Sequence, residues 1–399
     1  MKHRIAFINL PLLAVFLVLA STAALASNTW YVDGVHGKNK NDCKSPQTAC
    51  KTIGHAISLA SSGDSIKVAA ATYTENLTIG LSLNVIGSGA VTTIIDGGGN
   101  GTVFTVSNAS AHVALSNVTV RNGRAAAGGG INNSGTLSIN NSTVSGNVSF
   151  FGGGGGIQNS GTLTISNSTL SGNTAHIFGG GIRNQGNLTI SNSTLAQNSA
   201  SPLQGHGGIG GGILNAGTLT ISNSSLSGNS GILAGGIGND SGTATLQNSI
   251  VANSTSGGNC SGTMTSNGYN LSSDGTCNFK STGDLNNTDP KLGPLQDNGG
   301  PTQTMALLPG SPAIDAGNAG GCTNGRGHLL KTDQRGMPRP DREDKGGCDM
   351  GAYEEQSQPK CIPLGDPCFG PGPLRCCPAP FPHHSFCSSG TGWGRCLET

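Results

Sequence analysis

The sequence predicts an all-β solenoid in which short strands stack in coils of about 25 residues. The first observation is the block GTLTISNSTLSGN at residues 161–173, whose copies start 26, 25, 31 and 25 residues apart. The second is a Gly-Gly-Ile triplet before each copy. The third is a composition with 66 glycines and only 4% aromatic residues, which suits a thin core filled by a small aliphatic set in every coil. The copies start at Gly135, Gly161, Gly186, Gly217 and, in a degenerate form, Gly242.

Residues 1–26 have the pattern of a secretory signal peptide. A basic start at residues 2–4 precedes an apolar run at residues 5–20, and Ala-Leu-Ala at 24–26 supplies small residues for cleavage. The alternative, a retained membrane anchor, is disfavoured because the run is short and contains Asn9 and Pro11. No other stretch is apolar for long enough to span a bilayer. We therefore expect a protein that is secreted or displayed at the cell surface.

Residues 27–64 are expected to cap the first coil. They contain one short strand, Thr29–Asp33, and a helical spacing of apolar residues from Thr52 to Ser62. Gly63 and Asp64 end that pattern. A short amphipathic helix over an open solenoid end would cover its unpaired strand edges and apolar side chains.

Residues 65–290 are predicted to form the solenoid itself. Inside one repeat Leu163 and Ile165 alternate with hydroxyl residues, which places the aliphatic side chains on one face. Stacking the repeats puts the leucines in one column and the isoleucines in the next. Further strands are expected before the clear repeats at Ser65–Val68, Leu77–Ile79, Leu81–Ile86, Val91–Ile95, Val103–Val106 and Val113–Val120.

Asparagines recur at fixed positions of the repeat and are predicted to stack as a structural ladder at the turns. An amide at a turn can bond to the same group one coil above and below. The predicted ladder consists of Asn117, Asn141, Asn167, Asn192, Asn223 and Asn248. A second column is expected at Asn133, Asn159, Asn184, Asn215 and Asn239.

Twelve cysteines in an exported chain indicate disulfides rather than metal ligands. Three local pairs are expected from their proximity: Cys43 with Cys50, Cys260 with Cys277, and Cys322 with Cys348. Six more crowd into residues 356–399 and allow 15 connectivities. They are Cys361, Cys368, Cys376, Cys377, Cys387 and Cys396.

Several of these patterns resemble known families. The repeats resemble the right-handed parallel β-helix of pectate-lyase-like proteins, and the Gly-Gly-Ile triplets resemble the repeats of chlamydial polymorphic outer membrane proteins. Residues 291–355 contain LQDNGGPT, LPGSPAIDAG, TDQRG and DMGAYE and resemble a choice-of-anchor Q closing segment. The spacing of the last six cysteines resembles a cystine-knot (knottin-like) module. Together these resemblances imply an exported bacterial surface protein. Arg335 and Asp349, both inside these motifs, are expected to be partners that close the end of the helix.

The regular coils contain few residues that could act in catalysis. Residues 100–270 contain no Glu and no Lys, and Asp240 is their only acidic residue, whereas hydrolases and calcium-dependent lyases need carboxylates. Asp96 and Glu75 are the alternative acidic groups in the N-terminal coils. His206, in the longest repeat, and His383-His384 are weak binding candidates. No cofactor is expected, and calcium at Asp341, Glu343, Asp344 and Asp349 is the alternative to ion pairing.

The sequence thus favours an exported, non-enzymatic protein for surface presentation or adhesion, with extracellular glycans or other surface ligands as partners. An enzymatic activity stays open but is disfavoured. One alternative is a carbohydrate-active protein of the polysaccharide lyase or hydrolase kind; a second is an ice-binding protein, suggested by outward Thr-x-Thr rows. A net charge of +1 without a basic stripe disfavours nucleic acid. The oligomeric state is left open.

Overall fold

The computed structural model describes residues 27–203, 206–324, 327–341 and 347–356, and the backbone of three short strands nearer the C-terminus. These strands, Pro367–Cys368, Ser385–Cys387 and Gly394–Glu398, form an antiparallel sheet. The predicted signal peptide and most of the cysteine-rich tail lie outside the described residues. The cleavage site and the pairing of the last six cysteines therefore stay predictions.

The described chain winds as a right-handed parallel β-solenoid, which confirms the predicted fold class. Most coils contribute one strand to each of three long sheets. Sheet 1 stacks Thr29–Val32, Asp64–Val68, Leu83–Gly87, His112–Ser116, Thr136–Asn140, Thr162–Ser166, Asn187–Ser191, Thr218–Ser222, Thr243–Gln247 and Thr265–Ser266. Sheet 2 stacks Ala71–Thr74, Thr93–Asp96, Thr119–Arg121, Thr143–Ser145, Thr169–Ser171, Thr194–Ala196, Ser225–Ser227, Ile250–Ala252 and Leu271–Ser272.

Sheet 3 and a shorter sheet 4 complete the coils. Sheet 3 stacks Leu77–Ile79, Phe104–Val106, Ile131–Asn133, Ile157–Asn159, Ile182–Asn184, Ile213–Asn215, Ile237–Asn239 and Cys260–Ser261. Sheet 4 contains Arg124–Ala125, Val148–Ser149, Thr174–His176, Ser199–Leu203 and His206–Gly207. Its last two strands pair in antiparallel fashion, with Leu203 opposite His206, because the longest repeat folds into a hairpin there.

The core is a set of aliphatic columns, as the alternation in the repeat predicts. Leu163 stacks between Leu137 and Leu188, and Ile165 stacks in the neighbouring column. All of these side chains are at most 1% exposed. Because register is set by which face is buried, a strict Leu-x-Ile alternation is enough to align successive coils.

The sequence pattern predicts one strand where the structure has two. The expected strand Val113–Val120 is broken at Asn117, whose φ of 57° is left-handed. The result is one strand in sheet 1, His112–Ser116, and another in sheet 2, Thr119–Arg121. The turn between them is a corner of the coil, and asparagine tolerates its left-handed backbone better than other non-glycine residues do.

A short helix covers the first coil, as expected, although it is shorter than the pattern indicates. It spans Ile53–Leu59 and buries Ile53 and Ala56 against the solenoid core. Its first two backbone N–H groups donate to the two carboxylate oxygens of Glu75, both at 2.8 Å. Glu75, an alternative acidic group for chemistry in the sequence, therefore caps the helix.

Three disulfides join the expected local pairs. Cys43 bonds to Cys50, Cys260 to Cys277, and Cys322 to Cys348. Disulfides form and persist in oxidising compartments, so these bonds favour an extracellular protein. Among the described residues no helix is both long and apolar enough to cross a membrane.

The closing segment, residues 291–355, lies in its described parts against the side of the rod. It contains one hairpin, Leu292–Gln296 with Thr304–Leu307, and folds back along the outer face of sheet 2. A second apolar cluster forms there, in which Ile250 and Ala252 of sheet 2 pack with Leu307, Ala313 and Met350 of the closing segment. Polar contacts extend this docking to the coil of Thr169, whose hydroxyl donates to the Gln303 carbonyl oxygen (2.5 Å).

Candidate functional site

The closing segment stops before it reaches the first coils of sheet 2, and a groove of about 340 Å³ opens there. Its floor is the outer face of sheet 2, and its wall is the loop of residues 297–303, which we call the wall loop. Val91, which is 79% exposed, and Ile94 give it an aliphatic part. Hydroxyl groups and two titratable side chains share the lining. The polar lining residues are Thr119, Arg121, Thr143, Ser145, Asp297, Thr302 and Gln303.

Arg121 is the cationic group of this groove, and its orientation is fixed by Asp96. The two residues are register partners on neighbouring strands of sheet 2, so their side chains emerge side by side. Arg121 Nε donates to Asp96 Oδ2 at 2.8 Å. The Arg121 side chain is 40% exposed and that of Asp96 is 11% exposed, so the pair presents a guanidinium rather than a carboxylate to the groove.

Asp96 is a fixed anion. Burial acts to raise the pKa of its carboxyl, but hydrogen bonds from the Gly98 N–H, the Arg121 guanidinium and the Asn122 amide outweigh burial and hold this pKa below its usual value. The Gly98 N–H bonds to Oδ1 (2.9 Å), and the Asn122 amide bonds to Oδ2 (2.8 Å). Asp96 therefore serves to orient Arg121 and is poorly suited to donate a proton.

The wall loop is pinned to the rod by Gln334, a residue that is 1% exposed. Gln334 Nε2 donates to the Thr302 hydroxyl (2.9 Å), to the Gln303 carbonyl oxygen (3.1 Å) and to the Thr169 hydroxyl (2.9 Å). Its Oε1 accepts from the Thr194 hydroxyl (2.7 Å). One amide thus ties the wall loop to two coils of sheet 2.

A buried charged cluster holds the rest of the closing segment together. Arg339 Nε donates to Glu354 Oε2 at 2.7 Å, and both side chains are fully buried. Asp349 lies beside them, and each of its carboxylate oxygens accepts a backbone N–H, one from Asp315 and one from Glu355. Arg335 pairs with Asp333 (2.8 Å) and lies over the Tyr353 ring. Arg335 and Asp349 were expected to be partners at the end of the helix, but each bonds to other residues of the closing segment.

Burial and, to a smaller extent, the neighbouring Glu354 carboxylate raise the pKa of Asp349 to about 7, against the lowering effect of the two N–H donors and Arg339. The pKa of Glu354 is raised as well, chiefly by burial. Two of the four candidate calcium ligands, Glu343 and Asp344, lie outside the described residues. Calcium therefore stays a prediction.

The six asparagines of the predicted ladder all occupy left-handed corners between sheets 1 and 2, with φ between 46° and 57°. Asn248 donates to the Asn223 side-chain oxygen (2.9 Å) and Asn167 to that of Asn140 (3.1 Å). The amides of Asn192, Asn223 and Asn248 also donate to backbone oxygens of the closing segment. The corner column is therefore a docking strip as well as a set of turns.

The continuous amide ladders lie in two other columns. In sheet 3, Asn133 donates to Asn159 (2.8 Å), and the chain of bonds continues through Asn184 and Asn215 to Asn239. A third column, which was not assigned from the sequence, joins the last residue of each repeated block. Its members are Asn147, Asn173, Asn198 and Asn229, and they are at most 1% exposed. The recurrence of asparagine as the last residue of the block is the sequence signal for this column.

The structure does not place the other binding candidates of the sequence. The side chain of His206 and residues 383–384 are outside what the structure describes. Among the described residues one cluster has metal-ligand proximity, namely Cys43, Cys50 and His55. Its two sulfurs are bonded to each other, so they offer no thiolates.

No protein-family model matches the chain, and no curated protein matches it significantly. Solved structures with a similar fold include pectate lyase Pel9A, at 15% identity over 83% of this chain and 97% of that chain, with a TM-score of 0.40. They also include the Aspergillus niger pectin methylesterase, at 15% identity over 65% and 85% of the two chains (TM-score 0.38). Pectin methylesterase PemA from Erwinia chrysanthemi matches at 15% over 57% and 80% (TM-score 0.33). Identity at this level shows the fold alone.

The expectation of a non-enzymatic protein for surface presentation or adhesion is corrected by these comparisons, because the named proteins that share the fold are enzymes. The expectation rested on the regular coils, where carboxylates are scarce. The acidic residues at the groove instead lie on either side of that stretch. Asp96 precedes the clear repeats and Asp297 follows them, and the folded-back closing segment adds Asp297 to the groove that Arg121 lines.

Proposed function

We propose that the protein is a carbohydrate-active protein that binds an acidic polysaccharide in the groove over sheet 2. The observation that carries the proposal is the Arg121 guanidinium, fixed by Asp96 at a groove that also offers aliphatic and hydroxyl groups. Sugar rings have apolar C–H faces that suit Val91 and Ile94, and their hydroxyls suit Thr143 and Ser145. A guanidinium is the preferred partner for a carboxylate on the sugar.

The two carboxylates of the site have different roles in this proposal. Asp96 stays ionised and holds Arg121. Asp297 is exposed on the wall loop, and its Oδ1 accepts the Gly299 N–H (2.9 Å). Cleavage of a glycosidic bond or an ester requires a group that exchanges a proton with the substrate or with water. Asp297 is the residue we assign to that role.

Pectin and pectate, the acidic polysaccharides named for the proteins of similar fold, are suitable probes. Calorimetric titration with hexagalacturonate and with neutral cellohexaose tests the binding step. We expect the charged ligand to bind more tightly and Arg121→Ala to weaken it at least tenfold, which corresponds to about 1.4 kcal/mol.

Arg124→Ala is the matched control, because it removes the same charge from an exposed position in sheet 4. Equal affinity for the two hexasaccharides, or equal loss in the two arginine variants, contradicts the proposal. Reaction type is then assigned by following unsaturated products on polygalacturonate and methanol release on pectin. Asp297→Asn should abolish whichever of these two activities the protein has, and it should leave the binding of hexagalacturonate intact.

A further inference from the structure

The corner strip between sheets 1 and 2 repeats an asparagine followed two positions later by a hydroxyl residue. The pattern occurs at Asn117/Thr119, Asn141/Thr143, Asn167/Thr169, Asn192/Thr194 and Asn223/Ser225. Strand register places these pairs one above another along the rod. Five successive coils therefore present nearly the same surface, but the closing segment covers only the later ones.

In the covered coils this surface donates hydrogen bonds to oxygen atoms of the closing segment. The Asn192 amide donates to the Thr332 carbonyl oxygen (2.8 Å), and the Asn223 amide donates to that of Thr323 (2.6 Å). The hydroxyls of Thr169 and Thr194 donate to oxygens of Gln303 and Gln334. The strip also accepts hydrogen bonds, at Asn192 Oδ1 from Arg339 Nη1 (3.1 Å) and at Ser225 Oγ from the Ala352 N–H (3.0 Å). The closing segment thus occupies the strip, and the strip's amide and hydroxyl donors bind its oxygen atoms.

The two earlier coils carry the same donors uncovered. Within the described residues neither the Asn117 nor the Asn141 side-chain amide has a hydrogen-bond partner, and the Thr143 hydroxyl is likewise unpaired. Thr119 differs, because its hydroxyl donates to the Ala90 carbonyl oxygen (2.6 Å). Asn141 lines a polar cavity of about 220 Å³ together with Asn167 and residues 332–336. Pro301 of the wall loop lines both this cavity and the groove, so the two are neighbours.

We propose that Asn117, Asn141 and Thr143 bind oxygen atoms of the ligand, and that the ligand lies along the rod axis as a continuation of the closing segment. The inference rests on the proposed function and specifies it. The ligand is an extended polymer that presents an oxygen acceptor to each coil, and the coils are about 4.8 Å apart. Arg121 then meets a carboxylate of the same chain on the adjoining face of sheet 2.

Asparagine variants test the assignment without straining the corner. Asn141→Gly removes the donor and tolerates the left-handed backbone (φ 48°). Asn141→Asp keeps the shape and replaces a donor by an anionic acceptor. With hexagalacturonate we expect Asn141→Gly to weaken binding about threefold to tenfold, as loss of one hydrogen bond implies. Asn141→Asp should weaken it further, and Asn117→Gly should behave as Asn141→Gly does.

Asn253 supplies the matched controls, since it is exposed and also left-handed (φ 55°) but lies on a different corner. Asn253→Gly and Asn253→Asp should leave the affinity unchanged. If Arg121→Ala weakens binding while the Asn117 and Asn141 variants bind as tightly as the unsubstituted protein, the inference is overturned and the proposed function stands. If the unsubstituted protein binds no acidic oligosaccharide, the proposed function fails, and this assignment fails with it.

Discussion

Substitution of Gln334 by Leu should release the wall loop from the rod. The side chain is buried and makes four hydrogen bonds, three through Nε2 and one through Oε1. Leucine fills a similar volume but offers none of these groups. Four partner atoms then lose a bond: the hydroxyl groups of Thr169, Thr194 and Thr302 and the carbonyl oxygen of Gln303. The Thr169 hydroxyl still donates to Gln303.

The magnitude follows from these contacts. A hydrogen bond contributes about 1 kcal/mol net, and a buried polar group left unpaired costs about 1–3 kcal/mol. With part of the loss relieved by Thr169, we expect the closing segment to be destabilised by about 3 kcal/mol. That value corresponds to roughly a hundredfold increase in the population of locally opened states. The coils themselves should be unaffected, because their ladders do not involve Gln334.

Native-state hydrogen exchange measures this opening directly. The Gln334 amide, which donates to the Ala352 carbonyl oxygen (3.1 Å), and the amides of residues 302–304 should exchange about a hundredfold faster. Gln158→Leu is the matched control, since Gln158 is a nearly buried glutamine that bonds to Gln185 across two coils, in sheet 3 (2.9 Å). Exchange in the wall loop that rises no more in Gln334→Leu than in this control would refute the pinning role.

Two other predictions concern stability. The pKa of Asp349 is raised to about 7 from an ordinary 3.8. Its contribution to the stability of the folded state is therefore complete below about pH 4 and is lost as pH rises through 7. Tm should fall between pH 5 and 8.5, and Asp349→Asn should flatten that dependence. Asn173→Ala removes four hydrogen bonds inside the third ladder and should cost about 3 kcal/mol in urea unfolding, whereas the exposed Asn187→Ala should change stability by less than about 0.5 kcal/mol. A flat pH profile, or equal effects of the two asparagine variants, contradicts the respective prediction.

The fold could be predicted in detail because, in a repeating chain, its strand contacts join each coil to the next. A two-residue alternation at Leu163 and Ile165 fixes which face is buried, and the 25-residue period fixes which residues stack. The local cysteine pairs were predicted from their proximity in the sequence. Strand ends were harder, since residues 113–120 read as one strand although Asn117 was also expected among the asparagines at the turns.

The groove could not be found in this way because its parts are far apart in sequence. The hydrogen bonds that place the closing segment on sheet 2 join residues that are 100 to 165 positions apart, for example Thr169 and Gln334. No repeat or periodicity encodes such a contact. A scarcity of carboxylates in the coils was a sound observation, but it concerned the scaffold, whereas Asp96 and Asp297 come from outside the clear repeats.

Whether a coil belongs to the scaffold or to the site therefore depends on whether the closing segment covers it, and not on the sequence of the coil. The pairs at Asn141/Thr143 and Asn192/Thr194 are the same residues in the same register, yet the later pair binds the chain's own closing segment and the earlier pair is open. The position of the wall loop decides how many coils stay available, and Gln334 fixes that position. The length of strip exposed to a ligand is thus set by the closing segment, so changes in that segment alter the site without any change in the repeats.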